Sequence, residues 1–290
     1  MYLEIFKHDT PQARLVREIT TIHQMTTRIA QIAKQASSKM AQKSNIHLYT
    51  AQTPNGIKAS IVLEELGLKY ETTSIEFSKN TQKEPWFLQI NPNGRIPALT
   101  DTFEDGKTIR LFESASIMQY LVERYDKDHK ISYPYGSREY WEVNNWVMWQ
   151  MGGLGPMQGQ LNHFNRYAPE KIPYAINRYM NETRRLFRTL DTALKESESG
   201  YLVGDKATIA DFASWGWVAH AAGSGVDINE FPALKRWRDL LLSRPGLEKG
   251  RQVPSPHKAL EQENQSEADI AAAAQKNASW IQSGMKEDSK

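Results

Sequence analysis

Asn91-Pro92-Asn93-Gly94-Arg95-Ile96-Pro97-Ala98-Leu99 decides how the first half of this chain is read. Asn-Pro-Asn-Gly is a turn signature, and Ile96 to Leu99 is a short extended run entered through an X-Pro bond. A proline in that position is a candidate cis proline, because cis X-Pro bonds are usually placed features; a plain trans proline at a strand start is the local alternative. In the cis form Ile96 would turn its backbone N–H and C=O outward. A peptide-like ligand could then pair with it as an added strand.

The flanking sequence builds an α/β unit around this stretch. Ile46-His47-Leu48-Tyr49-Thr50 alternates like a strand. Thr53-Pro54 opens a helix, with proline suited to the first turn; Ile57, Ile61, Leu63 and Leu66 follow, and Gly67 closes it. Tyr70 to Phe77, rich in Thr and aromatics, reads as a second strand. Asp105-Gly106 is a hairpin signal between Ile96–Leu99 and Thr108–Phe112. Ser114 then starts a helix with Ile117, Leu121, Val122 and Tyr125 on one side. The order β-α-β-β-β-α predicts a thioredoxin-like domain over residues 45–128.

From Ser137 the pattern turns helical, with Tyr140, Val143, Trp146, Val147 and Met151 in register. Residues 172–195 form a long amphipathic candidate, and Phe231-Pro232 begins another helix that Pro245 ends. Thr208-Ile209-Ala210-Asp211 matches a capping box ahead of the weakly polar stretch Ile209 to Val226. That stretch carries Asp211 and His220. A bilayer helix needs roughly 20 predominantly apolar residues, so it reads as a buried core helix. The predicted architecture is a thioredoxin-like α/β domain followed by an all-α domain at 137–254. A polar tail at 255–290 would hold a short helix at most.

Composition narrows the chemistry. The chain has 290 residues, 24% charged and 40% hydrophobic, with a net charge of +2, which gives no electrostatic footprint for nucleic acid. It has no cysteine. Disulfides, thiolate metal sites, Cys-x-x-Cys redox chemistry and a cysteine nucleophile are therefore excluded. Seven scattered histidines without ligand spacing argue against a metal, and phosphate-loop and Ser-nucleophile signatures are missing. Gly153-Leu154-Gly155-Pro156-Met157-Gln158-Gly159 has the wrong spacing for a dinucleotide loop.

Residues 1–44 are basic and poor in acids, with Leu15, Ile19, Ile22, Met25, Ile29 and Ile32 at helical spacing. Residues 1–39 thus have the make-up of a mitochondrial presequence; a plain extension, or a working chain that begins at Met40, are the alternatives. Glu4, Lys7 and Asp9 argue against a secretory signal. A cytoplasmic protein is expected, or a mitochondrial one if the presequence reading holds.

Two further constellations carry chemistry. Thr53-Pro54-Asn55-Gly56 sits where a strand meets a helix N-terminus, whose unpaired N–H groups and partial positive charge stabilise a thiolate. With no thiol in the chain, any sulfur activated there must arrive with a ligand; a simple cap at Thr53 is the other reading. Phe112-Glu113-Ser114 opens the next helix. A Ser hydroxyl with free N–H groups suits a carboxylate, and Glu113 suits an ammonium group, so the pair fits a free amino-acid end or else a plain N-cap. Trp141, Trp146, Trp149, Trp215 and Trp217 sit at core-like spacing and read as packing, as does Tyr49.

Together these motifs, with Val203-Gly204-Asp205-Lys206-Ala207-Thr208-Ile209-Ala210-Asp211, resemble the cytosolic glutathione transferases. Val147 to Gln160, His163-Phe164-Asn165, Pro173-Tyr174-Ala175-Ile176 and Arg178-Tyr179 are similar to the nu class: bacterial disulfide-bond oxidoreductases and their fungal relatives, including the prion-forming nitrogen-catabolite regulator. The resemblance spans about residues 45–254. It implies that Ile96, before a cis Pro97, pairs with the cysteinyl backbone of glutathione. Glu113 and Ser114 would hold the γ-glutamyl end, Gln82 or Arg95 would lie near the glycyl carboxylate, and Thr53 and Asn55 beside the sulfur. The counterpart of Arg178 reaches the site from the helical domain, and two glutathiones or their disulfide can bind. Glutathione-dependent disulfide reduction is the activity implied, in a homodimer with no metal, nucleotide, nucleic acid or membrane partner. Conjugation to electrophiles is the first alternative. A non-catalytic glutathione-binding regulator is the second, although the Asn/Gln-rich prion segment is missing, since residues 1–44 contain no Asn.

Overall fold

The computed structural model describes residues 45–288, with helical conformation also at 15, 19–21, 23–25 and 28. The extension 1–44 and its presequence reading therefore lie almost wholly outside the described residues. Four strands form one sheet in the order β2-β1-β3-β4: β1 (Ile46–Thr50), β2 (Tyr70–Ser74), β3 (Ala98–Thr102) and β4 (Thr108–Phe112). β1 and β2 run parallel, and β1–β3 and β3–β4 are antiparallel. The parallel pair is joined by helix α1 (Gly56–Glu65), which begins two residues later than Thr53-Pro54 suggests. The hairpin closes at Gly106, whose φ of 79° suits glycine. Short α2 (Pro85–Leu88) precedes β3, and α3 (Ser114–Tyr125) follows β4. This is the thioredoxin-like unit, with Leu48, Ile57, Ile61, Leu99, Ile117 and Leu121 fully buried between sheet and helices.

The helical half comprises α4 (Arg138–Trp149), α5 (Gly155–Asn162), α6 (Pro173–Glu196), α7 (Ile209–Ala219), α8 (Ala221–Ser224), α9 (Pro232–Leu242) and α10 (Pro245–Gly250). Every residue of α7 is buried, so the apolar stretch is a core helix, and no described helix is long and apolar enough to cross a membrane. Its start is the expected capping box. Asp211 accepts from the Thr208 N–H (2.9 Å), the Leu202 N–H (3.1 Å) and the Trp237 indole (2.8 Å). Burial pushes the Asp211 carboxyl up, against the pull of those donors.

The two halves dock as one body. A Cβ on Gly250 would stand 2.4 Å from Ile61 Cα, so α10 presses directly on the α1 backbone. Arg244 forks onto Glu65 at 2.7 and 2.9 Å beside this contact. Of the aromatics read as packing, Trp215 is fully buried and Tyr49 stacks on His47 at 4.3 Å. Trp141 departs from that reading, being 55% exposed. The tail also differs: residues Glu267–Asp288 form a 22-residue helix, α11, rather than a short one.

Candidate active site

The turn between β1 and α1 is built for close approach. The Gly56 N–H donates to Thr53 Oγ1 at 3.0 Å, so Thr53 does cap the turn, while its own hydroxyl hydrogen is still available to donate. A Cβ on Gly56 would stand 2.0 Å from the Ala51 carbonyl oxygen, which explains glycine there. Asn55 immediately precedes the helix, and its Oδ1 accepts from the Trp217 indole at 3.1 Å. The turn thus presents a hydroxyl, an amide and the positive end of a helix.

These groups face a cleft with two compartments of 330 and 670 Å³ that share Thr53, Pro54, Phe77, Trp217 and Ile281. The smaller brings together Asn55, Gln82, Arg95 and Ile96, all expected at the site. Gln82 is buried, and among the described residues its Oε1 has no hydrogen-bond partner. The Ile96–Pro97 bond is cis. Ile96 precedes β3, outside the sheet ladder. The larger compartment runs between the domains, past Asn162, Arg166 and His220. Burial and Arg166 pull the His220 imidazole down to about 4, so it is neutral at physiological pH.

Glu113 and Ser114 begin α3 and line neither compartment. Glu113 holds φ 69° and ψ 117°, a conformation costing about 1–3 kcal/mol that persists only where its surroundings enforce it. Beneath it, the fully buried Lys58 donates to Ser114 Oγ at 3.3 Å and to Gln150 Oε1 at 2.6 Å. Gln150 lies in a π-helical turn after α4, so this lysine ties the start of α3 to the helical half. Burial draws its ammonium down to about 7, against the opposing field of Glu113. Sequence reasoning passed over Lys58, although a lone lysine among Ile57, Ala59, Ile61, Val62 and Leu63 is a signal, and the structure buries the whole run Gly56–Leu63.

Arg178 is not brought to the cleft. It is 54% exposed on α6 and lies 3.7 Å from Glu182, one turn on, where the solvent face supplies its counter-charge. Among the described residues, the arginine of the helical half that lines the cleft is Arg166. It donates to the Gly223 carbonyl at 2.8 Å and pairs with Glu267 at the start of α11. From that anchor α11 crosses the cleft: Ile270, Ala273 and Ala274 line the larger compartment, Ile281 both, and Gly284 and Met285 the smaller. Gln282 Nε2 fastens it to the Tyr167 carbonyl at 2.8 Å. Among the described residues no group of three or more His, Asp or Glu is placed to hold a metal ion.

Comparison with known proteins bears on this geometry. Residues 44–123 match the family model of the glutathione S-transferase N-terminal domain, and residues 160–245 that of the C-terminal domain. The chain belongs to the glutathione S-transferase family. It is 42% identical over 202 residues to the disulfide-bond oxidoreductase YfcG of Escherichia coli, covering 69% of this chain and 91% of that one. A glutathione transferase homologue of Lodderomyces elongisporus, solved with two glutathiones per subunit, superposes with a TM-score of 0.69 at 47% identity. That match covers 72% of this chain and 99% of the other. The transferase URE2P6 of Phanerochaete chrysosporium, solved with oxidised glutathione, gives 0.67 at 43% identity over 72% and 96%. Helix α11 lies beyond the residues matched by either family model.

Proposed function

We propose that this chain binds glutathione in the cleft and uses it to reduce disulfides. The observation that carries the reading is a helix N-terminus furnished with Thr53 and Asn55 in a protein that owns no thiol. Ile96 meets the cysteinyl backbone, Gln82 and Arg95 the glycyl end, and Glu113 with Ser114 the γ-glutamyl end. Thr53 and Asn55 donate to the sulfur and favour its thiolate. That thiolate attacks one sulfur of the substrate disulfide, the S–S bond breaks, and the departing thiolate takes a proton. A second glutathione thiolate attacks the glutathione sulfur of the mixed disulfide, releasing the remaining substrate thiol and glutathione disulfide. Two glutathiones supply the two electrons, and relatives solved with two glutathiones or with the disulfide support this stoichiometry.

The apolar side of the larger compartment favours a second reaction at the same sulfur, conjugation to soft, apolar electrophiles. Exposed Phe112, Trp141 and Met148 are consistent with a homodimer. The test combines calorimetric counting of glutathione per subunit with rates on a dialkyl disulfide and an aryl halide. Two glutathiones and faster disulfide turnover are expected. One glutathione with turnover of the halide alone overturns the reductase reading, and no binding at millimolar glutathione overturns both.

Lys58 adds a pH signature. A carboxylate arriving at α3 favours the charged lysine, so binding takes up protons and tightens as pH falls from about 8.5 to 6.5, on either side of its lowered pKa. S-methylglutathione, whose blocked sulfur cannot titrate, leaves Lys58 and the ligand's own α-amino group as the groups that exchange protons in this window. Its binding enthalpy should change with the ionisation enthalpy of the buffer, and Lys58→Met should reduce that dependence by the lysine's share.

A further inference from the structure

We infer that Trp217, on the helical domain, is a positioning residue that sets the polarity of Asn55 toward the bound sulfur. The inference rests on the proposed role of Asn55 beside that sulfur. An indole N–H can only donate, so the Asn55 atom 3.1 Å from Trp217 Nε1 is the carbonyl oxygen. With that oxygen engaged, the amide NH₂ is the free end, and among the described residues it has no partner. Both residues line the smaller compartment, so the free end is the one available to a ligand there.

Without the indole, the amide can rotate and offer its oxygen instead. An NH₂ group stabilises a thiolate, whereas a carbonyl oxygen stabilises the protonated thiol. One hydrogen bond across the domain junction thus decides whether Asn55 lowers or raises the thiol pKa. The junction holds Trp217 firmly. A Cβ on neighbouring Gly216 would stand 2.9 Å from the Pro54 carbonyl oxygen, which seats α7 against the turn. From behind, Gln158 Nε2 donates to the Trp217 carbonyl at 2.8 Å, and Gly159 of α5 lies against the indole. The ring is 7% exposed, so its donor has little competing water.

The test is Trp217→Phe, and, as an isosteric control, site-specific replacement of Trp217 by the benzothiophene analogue, which keeps the bicyclic shape and lacks the N–H. The thiol pKa of bound glutathione is read by ultraviolet titration, alongside kcat and KM. Both variants are expected to raise that pKa by about half a unit to one unit and to lower kcat near pH 6.5 by about three- to tenfold. KM for glutathione should stay within about twofold, and the kcat deficit should close at high pH, where the thiolate forms regardless. Asn55→Ala should mask the effect, so that the double variant loses no more than Asn55→Ala alone. An unchanged thiol pKa in the benzothiophene protein, or losses that multiply in the double variant, overturns the role of Trp217 while leaving that of Asn55 intact. If Asn55→Ala itself leaves the thiol pKa unmoved, the sulfur-side reading of Asn55 falls, and the role of Trp217 with it.

Discussion

Asn55→Ala is expected to lower turnover of a dialkyl disulfide by about ten- to a hundredfold while KM for glutathione changes little. Removing one preorganised donor from a developing or resting anion in an active site costs up to that order or more. In the proposed site the tripeptide is held elsewhere, at Gln82, Arg95 and Ile96 of the smaller compartment and at the start of α3 outside it, so losing the Asn55 side chain leaves most of that proposed binding surface in place. The split between kcat and KM is the informative readout. Equal losses in affinity and turnover would assign Asn55 to uniform binding and return thiolate stabilisation to Thr53 and the helix terminus.

Ala274→Trp is expected to reduce activity on a bulky disulfide by about tenfold or more, with S-methylglutathione affinity within about twofold. Ala274 faces only the 670 Å³ compartment, so an indole there fills the space proposed for the second substrate and leaves the smaller compartment, proposed for glutathione, untouched. A small dialkyl disulfide should suffer less, because it needs less of that volume. Uniform loss across large and small substrates would show that α11 does not shape the second-substrate space.

The turns were the legible part of this site. Gly94, at φ 60° ahead of Ile96-Pro97, and Gly56 after Asn55, where the Ala51 carbonyl leaves no room for a Cβ, are places that glycine fills and few other residue types can. The groups that act across elements were hidden. Trp217 sits at the same helical spacing whether its ring ends in the core, as Trp215 does, or at a cleft, and periodicity cannot tell these apart. Arg178 and Arg166 are both arginines of the helical half, and only the packing of α5, α6 and α11 puts the second at the cleft. In α11 the buried positions Ile270, Ala274 and Ala278 keep helical spacing, but alanine carries so little hydrophobic signal that the stripe reads as a polar tail.

That alanine-rich contact has a kinetic consequence. Burial contributes only about 0.8 kcal/mol per CH₂, so a face of alanines peels away more easily than one of leucines, while the Arg166–Glu267 ion pair tethers the near end. If a bulky product leaves by α11 swinging clear, the Gln282–Tyr167 hydrogen bond must break first, and release becomes a conformational step. Its departure rate then follows the friction of the surrounding liquid, and thickening the medium with sucrose should slow large disulfides and spare small ones.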